Sequence, residues 1–280
     1  MVAYGILIAS AALYAMGIVA QSIAARRAGR RPGSGLGLLA RLTGDPLYLL
    51  GFCGQVGGFA LAFFARDVLP LYLVQAASSS AIGLATVFGV VVLRWRIQTT
   101  EALMLVLMAL GLVALAGSSK PSVAAELSSV TVLVLLGVLL GVGVAMTRLH
   151  RTDTFALPAI LSGVAFAVVA VTSRTLAHWD LVSLPGNPLT WLMLAAAVLG
   201  QASMAVALQR GLATAVVATA DATTIILSSA AGLTVLGDQV ADGTELWVAG
   251  GLTAVVIGVL VLGSPARTTS GSVEALEKPA

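Results

Sequence analysis

The sequence predicts an all-α integral membrane protein with about nine transmembrane helices. Of its 280 residues, 59% are hydrophobic and only 10% are charged, whereas about 25% of the residues in soluble domains are charged. Apolar stretches of about 20 residues, which as helices cross a bilayer core of roughly 30 Å, recur along the chain. These stretches do not alternate polar and apolar residues as the strands of a membrane β-barrel do. The composition therefore excludes a soluble globular fold.

Nine apolar stretches are expected to cross the membrane. The first has no basic residue before it and is longer than the apolar region of a signal peptide, so we expect a retained helix. The fourth and fifth are the shortest. The expected spans are 2–25, 46–65, 69–93, 101–117, 130–147, 155–176, 189–208, 213–236 and 245–263.

Basic residues indicate the orientation, because Lys and Arg in short loops stay on the cytoplasmic side. With the N-terminus outside, 12 of the 15 basic residues are cytoplasmic, several of them in a basic loop at 26–45. Only Arg66, Lys120 and Arg174 are then on the outer side. We therefore expect a multi-pass protein of the cell (cytoplasmic) membrane, with the N-terminus outside and the C-terminus cytoplasmic.

The chain contains a weak internal repeat. An offset of 145 or 146 residues places Gly54-Gln55 on Gly200-Gln201 and a Ser/Thr-rich helix after each pair. The helices concerned are the second and seventh, which run in opposite directions, so the repeat is inverted. Inverted halves are typical of transporters with a site near the midplane. The expected units are a first transmembrane half at 1–120 with four helices, a second at 121–263 with five helices, and a disordered cytoplasmic tail at 264–280.

Several segments carry a family resemblance. They are the first helix ending "AQSIAARR", the stretch "GQVGGFALAFFARDVLPLYLVQAASSSAIGLATVF", and "GQASMAVALQRGLATAVVATADATTIILSSAAGLTVLGDQ" in the second half. Their order over residues 2–263 resembles the drug/metabolite transporter (DMT) superfamily, with EamA-like repeats. The nine-helix plan is similar to its NIPA-like magnesium transporter branch. The resemblance implies secondary transport by alternating access of two inverted halves.

Asp221 is the principal candidate site residue. It is an acid within a long apolar stretch, and a charge at the centre of a bilayer costs about 2.5 to 3.5 kcal/mol even on lenient insertion scales. One hypothesis is that it binds a proton, a cation or a cationic substrate group in a midplane cavity. The alternative is a permanently protonated acid that donates one hydrogen bond to a neighbouring helix.

Further polar residues are expected near the same layer. With a rise of about 1.5 Å per residue, Gln201, Gln55 and Tyr14 lie within roughly 5 Å of the midplane of their helices. Helical spacing extends polar stripes from Asp221 to Thr224 and Ser228, and along the third helix. The candidate substrate- or proton-binding set is Asp221, Gln201, Gln55, Tyr14, Thr224, Ser228, Gln75 and Ser79.

These candidates have structural alternatives. Glutamines commonly join helices through hydrogen bonds, and Tyr14 is of a type that often serves packing alone. Ser78 to Ser80 are expected to bond backbone carbonyls one turn back. Arg174 is expected to extend to the outer interface near His178 and Asp180. Asp238, Asp242 and Glu245 are expected in a solvated outer loop.

Enzyme chemistry is not expected. The two histidines fall on opposite sides of the membrane, and neither a His-Glu-x-x-His run nor a P-loop is present. Cofactors, a metal site and nucleic-acid binding are not expected either. Gly137 and Gly141 form a small-xxx-small pattern and are a candidate homodimer interface.

The sequence leaves three functions open. The leading expectation is secondary transport of a small metabolite, with Asp221 as a proton site. The second is magnesium or other divalent-cation transport, which the resemblance favours and Gln55 disfavours, because the NIPA-like pattern has an acid at that position and Mg²⁺ prefers carboxylates. The third is a non-transporting membrane scaffold for a partner protein.

Overall fold

The computed structural model describes residues 2–27, 45–93, 98–148, 154–180, 182–211 and 213–263. In these ranges the chain is α-helical, with one short 3₁₀ turn at Leu184–Gly186 and one isolated β-bridge. Most of the expected basic loop at 26–45 and the expected disordered tail at 264–280 lie outside the described residues. The predicted all-α class is confirmed.

Ten helical segments follow the predicted spans closely. Asp45 and Asn187 cap two of them, because each side-chain oxygen accepts a hydrogen bond from the backbone N–H two residues later. The segments are α1 Val2–Arg27, α2 Pro46–Ala65, α3 Leu71–Ser79, α4 Ala81–Leu93, α5 Thr99–Ser118, α6 Ser129–Arg148, α7 Ala156–Leu176, α8 Pro188–Arg210, α9 Ala213–Thr234 and α10 Glu245–Leu262.

Eight spans among the described residues are long and apolar enough to cross a membrane. One of them comprises α3 and α4, which meet at Ser80. Here the helix is interrupted but not reversed, since Ser80 N–H bonds Ala76 O and Leu84 N–H bonds Ser80 O. In α1 the apolar part, Val2–Gly17, is shorter than the others. The protein is thus a multi-pass membrane protein, while nine crossings and the orientation stay predictions.

The main apolar core is formed by side chains of α3, α5, α9 and α10, with α1 and α2 beside them. The spans of α3 with α4, of α7 and of α9 are the most buried, whereas α6 packs only lightly on α7 and α8. The closest pairs are α1 with α2, α7 with α8, and α5 with α10. Gly137 and Gly141 on α6 are exposed and contact no neighbouring helix, so the homodimer stays a prediction.

Glycines set the distance between the paired helices. A Cβ on Gly111 of α5 would lie 2.9 Å from the Gly251 carbonyl oxygen of α10, and a Cβ on Gly251 would lie 2.8 Å from the Gly111 oxygen. A side chain at either position would force the backbones apart. Close approach through small residues is the usual basis of helix association in lipid.

Four connections meet at one end of the bundle, the capped end, formed by residues 66–70, 119–128, 177–187 and 235–244. Backbone hydrogen bonds join three of these connections to each other or to the helix ends, including Ser122 N–H to Val68 O at 3.1 Å and Ala125 N–H to Leu236 O at 3.0 Å. Tyr4 and Ser119 hydroxyls are 2.7 Å apart. Hydrogen bonds between connections of the same chain therefore close the capped end.

Candidate functional site

Asp221 lies in the third turn of α9, inside the bundle. Its segment, "TADATT", consists of small and hydroxyl residues around the acid. The side chain is densely surrounded by protein, yet part of its surface remains accessible, which indicates that it borders internal space. Its carboxylate has no hydrogen bond or ion pair with any residue that the structure describes.

Tyr14 of α1 is the first predicted neighbour of Asp221. It lies within electrostatic range of the Asp221 carboxylate and is itself half-buried. Nevertheless α1 packs mainly on α2, α3 and α4, and α9 mainly on α3, α7 and α10. The structure thus brings Tyr14 and Asp221 near each other, on helices that have few direct contacts.

Small residues of α1 and α2 hold Tyr14 and Gln55 in place. Ser10 Oγ donates to the Gly58 carbonyl oxygen at 2.7 Å, and a Cβ on Gly58 would lie 2.9 Å from Tyr14 Cδ2. A Cβ on Gly17 would lie 2.8 Å from Gln55 Cγ. Gln55 is half-buried in this interface, so Tyr14 and Gln55 belong to one pair of helices.

The other two amide candidates occupy different surroundings. Gln75 is half-buried on α3, the helix that packs on both α1 and α9. Gln201 is exposed on α8, a helix whose main partner is α7. The structure therefore places Gln75 beside the helices that carry Tyr14 and Asp221, and places Gln201 apart from them.

The hydroxyl candidates divide into bonded and unbonded groups. Thr224 Oγ1 donates to the Gly163 carbonyl oxygen of α7 at 3.1 Å, and Ser228 Oγ donates to Thr224 O at 2.6 Å. These two hydroxyls are satisfied by backbone. Ser78 and Ser80 bond carbonyls one turn back, as predicted, whereas Ser79 is buried and has no hydrogen bond with the described residues.

The capped end contains a buried ion pair that the sequence did not predict. Arg174 Nη2 lies 3.1 Å from Asp238 Oδ1, and both side chains are fully buried. The second oxygen, Asp238 Oδ2, accepts the Leu71 backbone N–H at 2.5 Å. Arg174 also donates to the backbone carbonyl of Arg66 and, at 2.6 Å, to that of Ser122. One ion pair thereby joins α7, the start of α3 and three connections.

This pair corrects two expectations. Arg174 does not extend to the membrane interface, since only 1% of the residue is exposed, and Asp238 is not solvated, since only 6% is exposed. Burial of each charge is tolerated because the other charge and several backbone groups surround it. The sequence signal was a basic residue in the last turn of one apolar helix and an acid in the connection after another. The sequence did not predict the pair because the two residues are 64 positions apart in the chain.

Arg66 is a second buried cation that the sequence analysis did not select. It follows the last residue of α2, and its Nη1 donates to Ser173 Oγ at 3.1 Å. Its Cζ lies 5.4 Å from the centroid of the Phe59 ring, a distance typical of cation–π contacts. Burial lowers the pKa of Arg66 to about 10, so the guanidinium remains charged at neutral pH.

No metal centre is visible among the described residues, where no group of three or more His, Cys, Asp or Glu side chains comes together. Two surface hollows of about 930 and 760 Å³ flank α6. Neither includes Asp221, and their linings, from α6, α8 and for the larger hollow also the adjoining connections and the end of α7, are mainly apolar. In a bilayer, we expect lipid chains to occupy them.

No family model, curated protein or solved structure matches the chain. The structure alone therefore defines the architecture: a multi-pass helical membrane protein with a closed, ion-paired end and, inside the bundle, a carboxylate that has no partner among the described residues.

Proposed function

We propose that the protein is a secondary active transporter of a small metabolite across the cytoplasmic membrane, with Asp221 as the proton or substrate site. The observation that carries the proposal is the Asp221 carboxylate, which borders internal space without a partner among the described residues. Ionisable groups inside membrane spans are costly and typically mark substrate or ion pathways. Tyr14 lies within electrostatic range of Asp221 and supplies a hydroxyl nearby.

Similar local packing in the two halves supports an inverted repeat. In the first half, Ser10 bonds the Gly58 carbonyl, and Tyr14, four residues later, contacts the same glycine. In the second half, Ser162 Oγ donates to the Gly200 carbonyl oxygen at 2.9 Å. Phe166, again four residues later, contacts that glycine. One Ser, aromatic and Gly arrangement thus recurs where α1 meets α2 and where α7 meets α8.

Helix pairing follows the same relation. The α1–α2 pair corresponds to the α7–α8 pair, and contacts of α1 with α3 and α4 correspond to contacts of α7 with α9. These relations favour a DMT-like plan of nine crossings, in which α1 is one crossing and α3 with α4 is another.

The capped end supports alternating access. Three of its four connections are bonded to one another and the Arg174–Asp238 pair lies beneath them, so this end is closed. In the proposed topology the capped end faces outward. While it is closed, protons or substrate would reach Asp221 from the cytoplasmic side. Opening outward would then require separation of the connections that close this end.

The two alternatives have less support. Divalent-cation transport would favour several carboxylates around the ion, and Asp221 is the only acid inside a described span apart from those near helix ends. A scaffold would favour a dry, fully paired bundle, whereas the side chains of Asp221 and Ser79 have no hydrogen bond with the described residues.

The test compares the full-length protein with Asp221→Asn in proteoliposomes that contain a pH-sensitive dye. Asp242→Asn is the matched control, because Asp242 is an exposed acid at the capped end. A metabolite that drives proton flux in the wild type and in the control, but not in Asp221→Asn, supports the proposal. Equal proton flux in the wild type and both variants would show that Asp221 is not required for transport.

Thermal unfolding at pH 5.5 and 8 provides the binding measurement, with magnesium and a metabolite panel. A ligand specific for the folded state raises the unfolding midpoint according to its concentration relative to Kd. Stabilisation by magnesium that depends on Asp221 would favour the cation alternative. If no ligand stabilises the wild type and Asp221→Asn is equally stable, the scaffold becomes the better interpretation.

A further inference from the structure

The buried charges at the capped end do not balance. Arg66 and Arg174 are two buried cations, and of these two only Arg174 contacts an acid among the described residues, Asp238. Both oxygens of Asp238 are already used, one by Arg174 and the other by the Leu71 backbone N–H. Arg66 is therefore left without a carboxylate partner among the residues that the structure describes.

Neutral groups satisfy only part of Arg66. Its Nη1 donates to Ser173 and its plane lies near the Phe59 ring, but its Nε is buried and has no hydrogen bond in the described structure. The negative end of the α2 dipole is equivalent to about half a unit charge. Arg174 also donates to the Arg66 carbonyl at that end, so the dipole is shared. A buried guanidinium in this setting favours an additional anion.

The guanidinium is directed into the bundle. Phe59 precedes Arg66 by seven residues, which is about 10 Å along a helix, so contact with its ring requires the Arg66 side chain to extend back towards the bilayer centre. Gly58, next to Phe59, contacts Tyr14. Tyr14 in turn lies within electrostatic range of both Arg66 and Asp221. A cation, a phenol and an acid therefore border one interior region.

This arrangement has a chemical consequence for the substrate. A guanidinium presents parallel N–H donors that match carboxylate and phosphate oxygens, and the Tyr14 hydroxyl is a further donor. We propose that the transported substrate carries a carboxylate or phosphate group and that Arg66 binds this group. The inference rests on the proposed transport function and names its substrate class. It also gives Asp221 a role, because an anion enters more readily when Asp221 carries a proton.

The test measures thermal unfolding of the purified full-length protein with three probes at equal ionic strength. Succinate and inorganic phosphate are the anionic probes, and choline is the cationic probe. The variants are Arg66→Gln and Arg66→Lys. Lys120→Gln is the matched control, because it removes a cation from the same end that is exposed and paired with Asp242.

We expect an anionic probe to stabilise the wild type and Lys120→Gln. We expect Arg66→Gln to weaken its apparent affinity by about 10- to 100-fold, since charge-assisted hydrogen bonds are lost. Succinate without phosphate identifies a carboxylate, and the reverse identifies a phosphate. Arg66→Lys keeps the buried charge and loses the paired donors, so it provides the comparison if Arg66→Gln does not fold. Its expected affinity is intermediate.

Two results would overturn the inference. One is that neither anion stabilises the wild type, and the other is that both Arg66 variants retain wild-type affinity. If choline stabilises the wild type but not Asp221→Asn, the transport site stands and only the anionic substrate class is wrong. Loss of the proposed function itself would be seen separately, as proton flux that does not depend on Asp221.

Discussion

Asp238 and Asp221 are two enclosed acids separated by 17 positions in the chain, and their surroundings are opposite. Each oxygen of Asp238 has a partner, Arg174 for one and the Leu71 N–H for the other. Asp221 has no such partner among the described residues and borders open space. Burial alone therefore does not show how an acid is held in the bundle, whereas the bonding partners of its two oxygens do.

Local geometry accounts for the difference. Gly237 has a φ of 70°, a left-handed conformation that glycine adopts without strain, and it turns the chain back after α9. The Asp238 N–H then bonds Gly232 O at 2.9 Å, and the carboxylate lies against Gly232. Asp221 is instead in regular helix, where its backbone is satisfied and its side chain depends on other helices. The turn therefore places Asp238 beside its bonding partners, whereas the regular helix places no described partner beside the Asp221 carboxylate.

The largest effect is expected from Arg174→Gln or Asp238→Asn. Each leaves one buried charge without its partner, which typically costs about 3 to 5 kcal/mol, so both variants should unfold at much lower temperature. Thermal unfolding in detergent measures this. Lys120→Gln, in the exposed pair with Asp242, should unfold like the wild type. Near-wild-type stability of both buried-pair variants would contradict the structural role of Asp238.

Gly232→Ala should have the next largest effect. A Cβ at this position would lie 2.6 Å from Asp238 Oδ2, so the carboxylate must move and its bonds weaken, at a cost of about 1 to 3 kcal/mol for an overpacked site. The control is Gly117→Ala, where a Cβ meets nothing within 4 Å. The difference between the two unfolding midpoints is the measurement. Equal midpoints would show that Gly232 does not position Asp238.

Thr224→Val tests the helix contact beside Asp221. It removes the hydrogen bond from Thr224 Oγ1 to Gly163 O, and interhelical bonds in membranes average about 0.6 kcal/mol. We therefore expect a small fall in the unfolding midpoint. Thr234→Val is the control, because this exposed hydroxyl bonds only Ala230 of its own helix. A large loss of stability would mean that the α7–α9 contact is more dependent on Thr224 than its geometry indicates.

Asp221→Asn should have the smallest effect on stability. No partner within the described residues loses a bond, so we expect a change within about 0.5 kcal/mol, or a gain. Proton-linked transport should nevertheless be lost. Unfolding and dye flux, measured on the same preparation, separate the two outcomes. Destabilisation as large as that of Asp238→Asn would make Asp221 a structural residue.

The sequence predicts the positions of the helices because the length of each apolar stretch determines the membrane-spanning segment. The spans predicted at 46–65 and 155–176 match α2 and α7 to within a residue. It was insufficient for the ion pair, because Arg174 and Asp238 are 64 residues apart and each alone resembles an interface or loop residue. It also placed Gln201 in the candidate site, since depth gives height in the membrane but not the direction that a side chain faces.

The burial of α3 and α9 has a consequence for how the protein is made. Their spans are the two least hydrophobic of the eight, whereas the peripheral α6 is the most hydrophobic. A translocon releases helices into lipid according to their apolarity, so α6 should insert alone, while α3 and α9 should require helices already synthesised. For α9 the required earlier helix is α7, its main packing partner. Chains in which α7 is replaced by an unrelated apolar helix should therefore leave the Asp221 helix poorly inserted.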